Sequence, residues 1–314
     1  MWRRTWSVAV GAALLGLGST ALAQEKQQQQ QDETQPVKLM LQPAAQPADD
    51  SVYALPVPAT EDQGINQGGV NVNFRVTYLT DYIYRGIDRA ESLNIDDEGA
   101  REDAANFQFD GMLKFNLGQM PHPFIGIFAN VLESDPVSNF QEVRPIIGAE
   151  WAIRPFIFAG GNNTYTYPDR GDLDTSEFWG RITLDDAAVF RLDEPILSPY
   201  VFAAYDYDVY NGWYIEAGVR HDFVIEDTGI TLTALGNVAW IYKHQLFETA
   251  DEESGFQHYE VGLIGRYSLN LLLNIPQRYG RWTVNGYIFY TDGIDDDLRA
   301  DTELWGGAGI EFTY

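Results

Sequence analysis

The chain contains no cysteine, only four histidines and fewer than half as many basic as acidic residues. Without cysteine it can form no disulfide framework and cannot be acylated as a lipoprotein. After its first residues it also has no stretch that approaches the roughly 20 apolar residues a membrane-spanning helix needs. Any residence in a membrane must therefore use β-strands.

The charge balance excludes one class of partner. Twenty basic and 46 acidic residues give a formal net charge of −26, which becomes −28 once the two arginines of residues 1–23 are left out. A chain this acidic is not expected to bind nucleic acid or an anionic bilayer face.

Residues 1–23 have the three parts of an export signal. Arg3 and Arg4 precede an apolar run from Val8 to Leu17, and Ala21-Leu22-Ala23 is a small-residue cleavage site. We therefore predict a signal peptide over residues 1–23. A twin-arginine signal is the alternative interpretation of the arginine pair, although the residues that follow it are ordinary.

Residues 24–69 differ in composition from everything after them. They are rich in Gln, Pro, Ala and acidic residues, include the run Gln27 to Gln31, and contain almost no aromatic side chains. This composition predicts a disordered periplasmic leader. A wall-binding role is the alternative to a plain linker.

Residues 70–314 repeat a strand-like period of two. From Val70 to Arg85 the even positions are almost all apolar or aromatic, and this alternation is longer than the 5–6 residues usual for a globular strand. Similar segments recur along the domain and predict an all-β fold, a transmembrane antiparallel up-and-down β-barrel of about twelve strands. The predicted strands are 70–85, 106–118, 124–132, 140–153, 156–167, 176–184 with a possible extension to 191, 199–209, 212–225, 230–243, 256–269, 281–291 and 303–314.

The connections alternate in length and charge, as they do in outer-membrane barrels. One set is short, and it is expected to face the periplasm. Its members are Gly118 to Pro123, Ile153 to Pro155, Glu226 to Gly229 and the slightly longer joins around Pro195 and Pro276. The other set is mostly acidic: Asp88 to Asp103, Val131 to Asn139, Pro168 to Thr175, Asn211-Gly212, Glu248 to Ser254 and Asp292 to Asp301.

The aromatic residues of one face fall into two groups, as expected where Tyr and Trp lie at the two membrane interfaces. Near the loop ends these are Tyr82, Tyr84, Tyr165, Tyr167, Tyr205, Tyr207, Trp213, Trp240, Tyr242, Tyr259 and Tyr290. Near the turn ends they are Trp151, Phe223, Tyr267, Trp282, Phe312 and Tyr314. Aliphatic residues such as Val219, Leu232 and Leu263 lie between. A soluble all-β sandwich or closed barrel is the alternative, but it would leave those aliphatics in water.

The opposite face carries charges of both signs, which predicts a lumen. The lumen-lining candidates are Arg75, Asp81, Arg85, Asp110, Lys114, Glu142, Arg144, Glu150, Arg181, Asp206, Glu216, Arg220, Glu260 and Arg266. Two interpretations stay open: a transverse field that guides a polar solute, or an internal salt-bridge network that fills a narrow barrel.

Bulky residues also point inward on this assignment and would narrow the turn-end mouth. They are Phe124, Phe128, Phe156, Phe158, Tyr200, Phe202, Tyr214, Tyr287 and Phe289.

We expect no enzymatic activity, cofactor or metal site. A barrel phospholipase needs a His beside a Ser on the outer face, whereas His221 is flanked on its face by Val219 and Phe223. The expected partners are outer-membrane lipids, small polar solutes and the barrel-assembly machinery, which would recognise Phe312 and Tyr314. Nucleic acid is not expected.

Residues 76–87, Val-Thr-Tyr-Leu-Thr-Asp-Tyr-Ile-Tyr-Arg-Gly-Ile, resemble the start of the barrel in the TorF family, a conserved bacterial family of outer-membrane porins. There too the first strand carries Ser/Thr-Asp-Tyr followed by an aromatic, Arg and Gly. The resemblance implies an outer-membrane barrel with a transport role and picks out Asp81 and Arg85 as lumen-facing motif positions. The Gln/Pro-rich leader and the length of the first acidic loop depart from the family pattern, so the resemblance implies no substrate.

Together these features predict an integral outer-membrane channel for diffusion of small polar solutes or ions. The lumenal charges would set ion preference, and the acidic loops would disfavour anions at the outer mouth. The alternative is a non-conducting barrel that acts as a scaffold or a surface interaction protein.

Overall fold

The computed structural model describes residues 69–89, 105–132, 140–168, 171–225, 227–249 and 254–314. The predicted signal peptide and all but the last residue of the predicted leader lie outside these ranges, as does most of the first acidic loop. Most of the domain predicted to be a barrel lies within them.

In these ranges, twelve strands pair antiparallel and close into a barrel, which confirms the predicted fold. They are β1 (Val70–Leu79), followed after two short strands by β4 (Asn106–Phe115), β5 (His122–Leu132), β6 (Phe140–Ile153), β7 (Phe156–Tyr165), β8 (Thr175–Leu184), β9 (Tyr200–Asp206), β10 (Trp213–Ile225), β11 (Ile230–Tyr242), β12 (Ser254–Ser268), β13 (Arg281–Gly293) and β14 (Glu303–Thr313). The barrel closes where β1 pairs with β14, from Asn73 opposite Thr313 to Leu79 opposite Gly307.

The two faces of each strand differ in environment. In β8, Thr175, Glu177, Trp179, Arg181 and Thr183 are buried, whereas the residues between them are half-buried or exposed. Because successive side chains point to opposite sides of a strand, this alternation places the polar residues inside the barrel. The connections after β5, β7, β9, β11 and β13 lie at one end of the barrel, called the loop end here, and those after β4, β6, β8, β10 and β12 lie at the other, called the turn end. Length separates the two sets only in part, because the turn-end connections 185–199 and 269–280 are also long.

Two turn-end connections contain short helices. Helix α1 (Asp186–Phe190) is capped by Asp185, whose carboxylate accepts from the Ala188 backbone N–H, and it replaces the predicted extension of a strand to residue 191. Helix α2 (Leu269–Leu273) follows β12, and 3₁₀ turns occupy Gly171–Leu173 and Gln277–Tyr279. Among the residues described, no helix is long and apolar enough to cross a membrane.

The predicted first strand, 70–85, is wrong beyond Leu79. The chain there turns into the barrel and forms a hairpin of β2 (Ile83–Tyr84) and β3 (Ile87–Asp88), which pair with each other. Arg85 and Gly86 connect them with φ angles of 50° and 79°, the left-handed pair that a tight two-residue hairpin requires. We call residues 81–89 the plug hairpin, because every one of them is buried. Tyr82 and Tyr84 therefore lie inside the barrel and not on the predicted lipid face.

The predicted faces of β7 are reversed. Phe156 and Phe158, predicted to point inward, are 43% and 36% exposed, whereas Tyr165 and Tyr167, predicted to face lipid, are buried. Register explains the reversal. The turn Arg154-Pro155 places Phe156 opposite Ile153, and directly paired residues share a face of the sheet. Since Ile153 faces outward, Phe156 does too.

Candidate functional site: the barrel interior

The fourteen predicted lumen-lining residues differ in burial inside the barrel. Lys114 and Glu150 keep 20% and 15% of their side-chain surface accessible. The others are buried: Arg75, Asp81, Arg85, Asp110, Glu142, Arg144, Arg181, Asp206, Glu216, Arg220, Glu260 and Arg266.

Strand register brings several of these charges together. Arg75 of β1 lies directly opposite Asp110 of β4, and its Nη2 donates to Asp110 Oδ2 at 2.7 Å. Lys114, further along β4 toward the turn end, lies 3.3 Å from Glu150 of β6. These contacts are the cross-strand pairing that a charged barrel wall needs in order to be stable.

Arg85, at the tip of the plug hairpin, makes an ion pair that is almost fully enclosed. Its Nη1 and Nη2 donate to the two carboxylate oxygens of Glu177 at 2.9 and 3.0 Å, and each side chain is only 2% exposed. The guanidinium also lies 4.5 Å from the ring centroid of Tyr214. Bidentate bonding and cation–π contact together compensate the desolvation of the charge.

Glu177 has further donors that the sequence prediction assigned to the wrong face or did not consider. Tyr165 Oη donates to Glu177 Oε1 at 2.7 Å, and Asn163 Nδ2 donates to the same atom at 2.9 Å. Tyr84 Oη in turn donates to Tyr165 Oη at 2.9 Å. The plug hairpin and the wall strands β7 and β8 therefore share one buried hydrogen-bond network.

A second network joins the plug hairpin to β6. Tyr82 Oη donates to Glu142 Oε2 at 2.8 Å, and Arg144 Nη2 donates to Glu142 Oε1 at 2.6 Å. The Arg144 guanidinium lies 4.3 Å from the ring centroid of Tyr165 and 4.8 Å from that of Phe128. Tyr82, predicted from the sequence to contact lipid, instead supplies a hydroxyl to an internal ion pair.

A loop residue, Asp301, and a residue of β12, Gln257, hold the other side of the plug hairpin. The Gly86 carbonyl accepts from the Asp301 backbone N–H at 2.7 Å, and the Arg85 carbonyl accepts from Gln257 Nε2 at 3.0 Å. A Cβ at Gly86 would come within 2.6 Å of the His258 ring, so glycine is required there for space as well as for its φ angle.

The loop between β11 and β12 also packs inward over the plug hairpin. Phe247 is fully buried against Tyr214 and His244. Burial, together with the positive charge of Arg85, lowers the pKa of His244 to about 3. At neutral pH this histidine is therefore uncharged. The loop-end half of the interior is thus filled by the plug hairpin, this loop and aromatic side chains.

The turn-end half is wetter. Asp222 keeps 35% of its side-chain surface accessible while it pairs with Arg220 at 2.8 Å. Glu311, Asn73 and Met112 are half-buried on the inner wall of the same half. Solvent therefore reaches charged wall residues near the turn end, whereas Glu177 and Glu142, which accept hydrogen bonds from side chains of the plug hairpin, are buried.

The outer face is apolar, with aromatic residues toward both ends. Tyr207, Trp213 and Tyr242 are exposed at the loop end. Trp151, Phe223, Trp282 and Tyr314 are exposed at the turn end, and the residues exposed between these rows include Ile147, Val219, Leu232, Val261, Leu263 and Ile288. His221 also faces outward, where its Nδ1 lies 2.5 Å from the Ile196 carbonyl oxygen.

No protein-family model and no curated protein sequence matches the chain. Among solved structures, a FadL homologue from Pseudomonas aeruginosa is similar over 78% of this chain and 89% of its own, at 10% identity and a TM-score of 0.35. A triple mutant of the porin of Rh. blastica is similar over 78% and 99%, at 10% identity and a TM-score of 0.30. OpdQ from Pseudomonas aeruginosa is similar over 78% and 96%, at 7% identity and a TM-score of 0.31. At these scores the likenesses assign neither a family nor a solute, and the barrel is defined by its own strand pairing.

Proposed function

We propose that this protein is an outer-membrane channel through which small polar solutes or ions diffuse. The observation that carries the proposal is the division between a charged interior and an apolar outer wall in a closed twelve-stranded barrel. An interior of this kind is compatible with water and polar solutes, whereas the outer wall matches acyl chains. We infer no enzymatic role.

The plug hairpin is the obstacle that such a channel must move. It is bound to β8 through Glu177 and to β6 through Glu142, and it lies across the loop-end half of the lumen. Diffusion therefore requires a state in which the hairpin has left these contacts. Brief and infrequent conductance steps are the expected behaviour of the intact protein.

Planar-bilayer recording of the purified protein tests this proposal. We expect discrete steps from the intact chain and larger or longer openings when residues 82–88 are replaced by a flexible Gly/Ser linker. Asp208→Asn is the matched control, because Asp208 is exposed at the same end and its carboxylate lies outside the plug contacts. Absence of steps from both the intact and the linker protein, at every voltage and salt concentration, would reject the channel.

A non-conducting barrel is the second candidate, and the filled loop-end half favours it. In that case the loops or the leader would bind a partner. Capture of a partner that is lost on deletion of residues 24–69, combined with no solute flux from the linker variant, is the result that would replace the channel by this function.

The cellular location of the protein, its partners and its family membership are part of the same proposal. We propose that the leader lies in the periplasm, that the apolar wall contacts outer-membrane lipids, and that Phe312 and Tyr314 are recognised by the barrel-assembly machinery. Membership of the TorF porin family is proposed from the motif at residues 76–87. Alanine at both Phe312 and Tyr314 should reduce the amount of folded barrel in the outer-membrane fraction, and an unchanged amount would contradict the assembly role.

A further inference from the structure

The turn-end half contains an arginine, Arg266, whose nearest carboxylate is bound more closely by a second arginine. Arg266 points inward from β12 and is 2% exposed. Its Nη1 donates to Thr233 Oγ1 at 2.7 Å and lies 4.0 Å from Asp222 Oδ1. Within the described part of the chain, its Nε and Nη2 find no hydrogen-bond acceptor.

The acids near Arg266 are already engaged by other groups. Asp222 accepts from Arg220 Nη2 at 2.8 and 3.1 Å. Glu311 accepts from Asn73 Nδ2 at 2.7 Å. Arg266 therefore shares its negative neighbours with other donors and does not form a separate ion pair.

Two further cations act on Arg266 in the same enclosed space. Arg75 and Arg220 both interact with it electrostatically, and the buried Tyr287 hydroxyl lies within reach of the Arg75 and Arg266 charges. A cluster of guanidinium groups away from bulk water is costly unless an anion is nearby. The carboxylates of Asp110, Asp222 and Glu311 balance the charge of the three arginines as a group. What remains unmatched is the Nε–Nη2 edge of Arg266, which has no acceptor among the residues described.

The Nε–Nη2 edge of Arg266 also has the geometry needed to bind an oxyanion. Nε and Nη2 carry parallel N–H bonds on one side of the planar guanidinium, and this fork matches two oxygens of a carboxylate or phosphate group. These are the two atoms of Arg266 that have no acceptor among the residues described.

We propose that Arg266, with Arg75, Arg220 and Tyr287 around it, binds one small oxyanion, a carboxylate or phosphate group, inside the turn-end half of the barrel. Asp222, whose Oδ1 lies 4.0 Å from Arg266 Nη1, keeps 35% of its side-chain surface accessible, so solvent comes within one side chain of Arg266. The inference deepens the proposed function and rests on it, because the site lies in the lumen through which solutes would pass.

Binding is measured on the full chain in detergent micelles, without reference to conductance. Inorganic phosphate and acetate are titrated separately by isothermal calorimetry at constant ionic strength, so that the two arms distinguish a phosphate group from a carboxylate. The intact protein should bind at least one of them saturably, with one site per barrel. Arg266→Lys keeps the charge but removes the fork, and it should weaken binding by about tenfold or more, as expected for a lost charge-assisted hydrogen bond.

Two other variants complete the test. Tyr287→Phe keeps the ring and should weaken binding by a smaller factor, which provides a readout if Arg266→Lys does not fold. Arg278→Gln removes a positive charge from the exposed turn 277–279 and should leave the affinity unchanged. Absence of saturable binding of either anion, or unchanged affinity in whichever of the two site variants folds, overturns the proposal. A channel that conducts without binding would reject this site alone, whereas binding without conduction would reject the channel alone.

Discussion

The two halves of the barrel interior use the same kinds of charged residue in different ways. Around the plug hairpin, the ion pairs Arg85–Glu177 and Arg144–Glu142 have side chains that are at most 2% exposed. Near the turn end, Lys114, Glu150 and Asp222 keep 15% to 35% of their side-chain surface accessible. The first arrangement holds a structure closed, since removal of one partner leaves a buried charge. The second leaves charge available to solvent and solute.

The largest expected effect on stability comes from breaking the enclosed ion pair Arg85–Glu177. Arg85→Gln leaves Glu177 buried without its cation and should lower the free energy of unfolding by about 3–5 kcal/mol. Urea unfolding in micelles, followed by tryptophan fluorescence, measures this change. Arg85→Met combined with Glu177→Gln should recover much of the loss, because no uncompensated charge remains. A single variant as stable as the intact protein would show that the plug hairpin is not held by this pair.

The next prediction concerns the pH dependence of stability, which should differ between a histidine in the loop-end half and one in the turn-end half of the barrel. In the folded protein, burial lowers the pKa of His244, near the plug hairpin, to about 3. In the unfolded chain the same imidazole binds a proton below about pH 6.5. Stability should therefore fall as pH drops below 6.5, by about 1.4 kcal/mol per unit for this group, until the folded-state pKa is reached.

Urea unfolding of His244→Gln between pH 7 and pH 4.5 tests that slope. The variant should lose less stability on acidification than the intact protein. The matched control is His122→Gln, since His122 lies at the turn end, where its Nε2 is 2.9 Å from the Gly118 carbonyl oxygen at an exposed position. Equal slopes for the intact protein and His244→Gln would contradict the buried, neutral state of His244.

The third prediction uses the absence of cysteine. Met112→Cys lies in the wetter half and Asn130→Cys, on β5, in the filled half, where Asn130 is fully buried. A water-soluble thiol reagent should modify residue 112 faster by about tenfold or more, because labelling at 130 requires local opening. Mass spectrometry gives both rates. Comparable rates would mean that the two halves are equally open to water.

The smallest effect is expected at the partly exposed pair of the turn-end half. Lys114→Gln should change the free energy of unfolding by about 1 kcal/mol or less, because solvent screens the pair. The substitution removes a positive charge from the lumen and should therefore shift ion selectivity toward cations. The reversal potential under a salt gradient measures this shift. A destabilisation as large as that of Arg85→Gln would remove the distinction between the halves.

Much of this architecture could be predicted from the sequence, because side-chain alternation depends only on local residues. The period of two located the twelve strands and placed residues such as Arg75, Arg144 and Arg266 on the inner face. Pairing partners could not be found in this way. That Arg75 lies opposite Asp110 is a consequence of register between strands, which the pattern within one strand does not contain.

The two errors in side-chain placement have separate physical causes. The predicted face of β7 is wrong because the tight turn Arg154-Pro155 fixes its register from β6, and that constraint overrides the apolar character of Phe156 and Phe158. The plug hairpin could not be predicted, because Tyr82 and Tyr84 continue the alternation of apolar and polar residues that marks β1. The available signal is Gly86 alone, because a two-residue turn of this kind favours glycine at its second position, whereas Arg85 is not a residue usual at the first. The role of Thr233 could not be predicted either, because its partners Asp222 and Arg266 lie on the neighbouring strands β10 and β12 and are brought to it by register.

The attachment of the plug hairpin has a consequence for the order of assembly. The hairpin extends from β1, and β1 is the strand that meets β14 to complete the cylinder. Its contacts reach β6, β8 and β12, which come together around it only as the wall curves round. A nascent barrel in which β1 and β14 have not yet paired would therefore not hold the hairpin in place. Pairing of these two strands and closure of the lumen would then be a single late event.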